Sequence, residues 1–111
     1  ARINELRNNL PAETFANLIE ECLLDMDHRL PALRRALVAG APGAITAHAH
    51  ALVGMAAGYG MAAMEARLRT IMSAVREGDM AQLGSASIAA LETDFTEAAK
   101  TLREMLRREV V

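Results

Sequence analysis

Apolar residues recur along this chain at steps of three and four, the spacing that places them on one face of an α-helix. The first long stripe runs through Phe15, Leu18, Cys22, Met26, Leu30, Leu33 and Leu37. Pro11 stands at its start, where a missing backbone N–H costs nothing, and Gly40-Ala41-Pro42-Gly43 ends it. The pattern predicts a long helix over 11–39, kinked or split near Pro31. A second stripe, Ile45, Ala49, Leu52, Ala56 and Tyr59, predicts a helix over 43–57 that stops at Gly58-Tyr59-Gly60. Met64, Leu68, Ile71 and Val75 mark a third over 61–76. Leu83, Ile88, Leu91, Phe95, Leu102 and Met105 mark a fourth over 79–109, with Asp79 as its cap.

A short polar segment before Pro11 adds a small N-terminal helix. Short connections make successive helices antiparallel neighbours, so the fold class is all-α: an up-down four-helix bundle with an extra short helix at its N-terminus, one domain over 1–111. Composition agrees. The 111 residues are 52% hydrophobic but only 3% aromatic. Ala, Leu and Met, which favour helices, supply the apolar share. Met64 and Met72 fall at core spacing.

Charge and cysteine content narrow the function. A net charge of −2 gives no basic face for nucleic acid. Cys22 is the single cysteine, so the chain can form neither an internal disulfide nor a multi-cysteine zinc site, and its place in the first stripe predicts a buried, inert thiol. The start, Ala1-Arg2-Ile3-Asn4-Glu5, has no apolar signal segment, and no apolar run is long enough to span a bilayer. These features point to a cytoplasmic protein without direct membrane contact.

Three histidines carry the candidate chemistry: His28, His48 and His50. His48 and His50 lie about 200° apart on a helix, so they cannot grip one ion, and no metal site is expected. His48 belongs near the core stripe, four residues before Leu52. His50 lies about 160° from Leu52 and should face solvent. Its helix-face neighbours are Thr46, Ala47, Val53, Gly54 and Ala57, all small or modest and uncharged. Gly54 in mid-helix costs about 1 kcal/mol relative to Ala, unless helix packing or the approach of a partner needs the space. An exposed imidazole with an unprotonated nitrogen is a competent nucleophile. This one has no oxyanion donors and no phosphate loop in its own chain. Its natural task is to take a group from another protein's active site and pass it on.

The segment from Ala47 to Gly60 resembles the signature of histidine phosphotransfer (HPt) domains: a phospho-accepting His, then Leu, Gly and a second Gly in fixed register. His50, Leu52, Gly54 and Gly60 match it. Asn9-Leu10-Pro11, Leu33-Arg34-Arg35-Ala36-Leu37 and Arg76-Glu77-Gly78-Asp79 resemble the family's layout elsewhere. The resemblance implies a phosphorelay intermediate. His50 would accept a phosphoryl group from a receiver-domain aspartate and pass it to another, with Gly54 giving clearance and Thr46, Ala47, Val53 and Ala57 forming the docking surface. It also implies response-regulator receivers and a hybrid sensor histidine kinase as partners, Mg²⁺ supplied by the receiver, no cofactor or autonomous catalysis in this chain, and a monomer. A start without Met points to a domain of a hybrid kinase. The family usually has Lys three positions after the His, where Val53 stands here. The alternative is therefore a module that docks receivers without relaying phosphate. Arg34, Arg35, Arg67 and Arg69 are the candidates to supply the missing charge.

Overall fold

The computed structural model describes residues 2–83 and 85–110, and every regular element among them is helical. A short helix α1 (Arg2–Asn9) leads into α2 (Ala12–Ala39), followed by α3 (Pro42–Gly58), α4 (Ala62–Arg76) and α5 (Ser85–Val110). Helix α3 packs against α2 and α4, and α5 closes the ring by packing against α4 and α2, while α1 lies against α2. This is the antiparallel bundle that the stripes imply. At 28 and 26 residues, α2 and α5 are far longer than α3 and α4, and they give the molecule its 47 Å long axis.

Each stripe turns inward. Phe15, Ile19, Leu23, Met26 and Leu33 of α2 meet Ile45 and Leu52 of α3, Met64, Leu68 and Ile71 of α4, and Leu91 of α5 in a single core. Helix ends fall where local chemistry puts them. Gly40 adopts φ 63° and its N–H bonds back to Leu37, and the Ala41 N–H reaches the Ala36 carbonyl. Both bonds satisfy carbonyls that the end of α2 would leave orphaned. Gly60 (φ 73°) and Gly78 (φ 74°) close the next two helices in the same left-handed conformation.

One expectation is narrowed and one changes. Pro31 does not split α2, which runs unbroken from Ala12 to Ala39. Its ring removes the bond that would reach the carbonyl of Asp27. Both residues lie on the exposed face of α2, away from the core. The last helix begins at Ser85 rather than at residue 79. Asp79 instead precedes a single 3₁₀ turn, Met80–Gln82, and makes no side-chain cap bond to that turn. That turn presses Met80 and Leu83 onto the core and carries the chain across the bundle end before α5 starts.

Cys22 is buried at 6% exposure, as its stripe position requires. Burial, with a smaller contribution from the Asp25 carboxylate, pushes its thiol up to about 11. The unfolded chain therefore loses this proton near pH 9, whereas the folded chain keeps it to about 11. Stability contributed by the group is present below pH 9 and is lost as pH climbs through that window. Native protein at pH 8 should react with a thiol reagent at least tenfold more slowly than the urea-unfolded chain, because only the thiolate attacks. Equal rates would mean that Cys22 is reachable in the fold.

Candidate functional site

Helix α3 contains no charged residue from Pro42 to Gly58. Pro42 opens it at the first helical position, and alanines supply most of its helix propensity. Ile45, Ala49, Leu52, Val53 and Ala56 are buried. Its exposed residues are Pro42, Gly43, Ala44, Thr46, Ala47, His50, Gly54 and Ala57. His50 is the one large functional side chain on that outer face. Thr46, Ala47, Gly54 and Ala57 surround it as expected, and Gly43 and Ala44 extend the small-residue face by one turn. The same helical spacing that singled out Ala47 and Gly54 reaches back to Gly43, a signal the sequence reading passed over.

Val53 is the correction. It was expected on the exposed docking surface, but it is buried at 7% exposure as part of the core. It lies about 100° around α3 from Leu52, at the edge of the buried arc. Val53 therefore presents almost nothing to a partner.

The other histidines occupy different settings. His28 is exposed on α2. His48 is half-buried, and its Nδ1 is shut off from solvent with no hydrogen-bond partner. An unpaired buried polar atom costs about 1–3 kcal/mol. His48→Leu should accordingly hold or raise the melting temperature, by up to about 5 °C, and leave any chemistry at His50 unchanged. A fall of several degrees would show that His48 makes a contact its Nδ1 environment conceals. No group of three His, Cys, Asp or Glu side chains among the described residues is placed to hold a metal ion.

The arrangement around α3 orients the site. The Tyr59 hydroxyl donates to the Leu18 carbonyl of α2 at 3.5 Å, so the Tyr59 and His48 side of α3 faces α2. His50 lies on the opposite flank, toward α4. On α4, Arg67 pairs with Asp94 of α5, which puts its α5 side on that flank and leaves Glu65 and Arg69 on the side of α3. Arg69 donates from Nε (3.0 Å) and Nη2 (2.8 Å) to one oxygen of Glu65. An exposed i,i+4 pair of this kind is worth only about 0.3–0.5 kcal/mol. Of the four arginines considered for the site, Arg34 is paired with Glu92 of α5 and Arg67 with Asp94, while Arg35 is exposed on α2. Only Arg69 flanks the helix face that carries His50.

Chemically, the site is a nucleophile on a convex, uncharged surface. It has room above it and no Asp, Glu, Lys or Arg on α3. No helix among the described residues is long and apolar enough to cross a membrane.

Comparison with known proteins bears on this arrangement. The family model described as "Hpt domain" matches residues 17–109. The crystal structure of histidine-containing phosphotransfer protein B (HptB) from Pseudomonas aeruginosa PAO1 matches with a TM-score of 0.87, over 96% of this chain and 91% of that chain. Sequence identity is 21%, so this likeness is one of fold. No curated protein matches the sequence.

Proposed function

Given that the chain belongs to the Hpt domain family, whose members are phosphotransfer modules of two-component relays, we propose that it relays a phosphoryl group between receiver-domain aspartates through His50. The observation that carries the reading is the outer face of α3: one exposed imidazole among Gly43, Thr46, Ala47, Gly54 and Ala57, with no charged side chain on the helix. A receiver's phosphoaspartate pocket is recessed and has to close over its acceptor. A convex helix whose neighbours are small lets His50 enter it.

In the forward step an unprotonated imidazole nitrogen attacks phosphorus. The P–O bond to the aspartate breaks, its electron pair stays on the carboxylate, and the imidazole's other proton is free to leave to solvent. Return to a second receiver reverses these events. The receiver supplies Mg²⁺ and the charged groups that stabilise the transferring phosphoryl, so this chain contributes the nucleophile, its exposure and its clearance. A cytoplasmic setting, in which receivers and sensor kinases meet, completes the reading.

The test is transfer from a panel of phosphorylated receivers. Acid-labile, alkali-stable label on the chain, chased off by a second receiver, supports a relay. Receivers that bind the chain and never label it would overturn the reading in favour of a docking module.

A further inference from the structure

A phosphoryl group on His50 brings close to two negative charges onto a helix with no cation of its own, and Val53 is an apolar, buried side chain. We propose that Arg69 of α4 neutralises that phosphoryl group, reaching it across the α3–α4 groove by exchanging its hold on Glu65. The inference rests on His50 being the acceptor.

Register places the two residues side by side. Helices α3 and α4 are antiparallel and joined by a tight turn, Tyr59 to Met61, centred on Gly60. Positions equally far from Gly60 share a level, so residue 50 is level with 70, and 53 with 67. Arg69 therefore lies within one residue of the level of His50. It also lies on the correct side: Arg67, about 160° away around α4, is the residue that turns to α5. The guanidinium held on Glu65 lies between the levels of residues 65 and 69, within one helical turn of the level of His50.

The Glu65 pair leaves the arginine available. Nε and Nη2 both donate to Glu65 Oε2, and Nη1 has no protein partner among the described residues. The Arg69 side chain is 61% exposed. A phosphoryl group offers several strong acceptor oxygens and a larger charge than one carboxylate, and a guanidinium fork suits it well. Glu65 then acts as a resting partner that keeps Arg69 extended along the groove. Arg67 and Arg34, tied to α5, are the internal controls.

Labelling by phosphoramidate separates this chemistry from receiver docking. The small donor's P–N bond breaks, ammonia leaves, and a new P–N bond forms at His50. The second-order labelling rate should fall about two- to fivefold in Arg69→Ala, the range expected of one exposed charge pair, and the loss should shrink at 1 M salt. Arg69→Lys should recover much of it. Arg67→Ala should match the parent. Equal rates for Arg69→Ala and the parent, with the parent labelled on His50, would overturn the role of Arg69 alone. A parent that takes label elsewhere, or from neither phosphoramidate nor receivers, would overturn the His50 reading and this one with it.

Discussion

His50→Gln should abolish phosphoryl acceptance from every receiver while moving the melting temperature by no more than about 3 °C. The two halves of this result have separate causes. Acceptance requires a nitrogen lone pair that can form a P–N bond, and a glutamine amide has none available at neutral pH. The fold is indifferent because His50 is exposed and contributes nothing to the core. Glutamine is also a good helix former, and surface changes away from caps and cavities stay within about 0.5 kcal/mol. Label counted alongside a thermal melt checks both halves. Label persisting in the variant would have to sit on His28 or His48, and mass spectrometry of the phosphopeptide would say which. His48 is a poor candidate, half-buried and with Nδ1 enclosed. Loss of label together with a collapse in melting temperature would instead make His50 a structural residue.

Most of this arrangement was legible in the residues themselves. Spacing of Phe15, Cys22, Met26, Leu30 and Leu33 located the buried face of α2, and helix angle alone put His50 outside and His48 near the boundary. Those inferences need only the local screw of one helix. Val53 needed more. Its angle on α3 lies at the edge of the buried arc, and its burial depends on how closely the neighbouring helices approach, which is set by side chains far along the chain. The same limit hid Arg69. Four arginines were candidates to face His50, and only the ion pairs to α5 and the register about Gly60 sort them. The start of α5 was misplaced for a different reason. An Asp before an apolar stripe is a sound cap signal, but Met80 and Leu83 reach the core from a 3₁₀ turn, so the stripe continued through a segment that is not yet α5.

Gly54 should give opposite results for stability and for transfer. A glycine inside a helix is usually required by a positive φ or by another part of the chain pressing on its Cα. Neither holds here. The described residues with positive φ are Gly40, Gly60 and Gly78, and a Cβ built on Gly54 would meet nothing within 4 Å. The chain thus carries a mid-helix glycine that its own fold does not need. Gly54→Ala should stabilise the protein by about 0.5–1 kcal/mol, seen as a rise of roughly 2–6 °C in melting temperature. Gly54→Trp should fold as well as the parent, since the space is open. Transfer from a phosphorylated receiver should nevertheless fall about 100-fold, because an indole one turn from His50 holds the imidazole away from a recessed phosphoaspartate. Labelling by phosphoramidate, which needs no docking, should stay within about threefold of the parent, well short of the loss that misplaced reacting atoms would cause. That contrast isolates clearance from nucleophilicity. Receiver transfer at the parental rate in Gly54→Trp would remove the reason for the glycine and leave the small-residue face of α3 without a function.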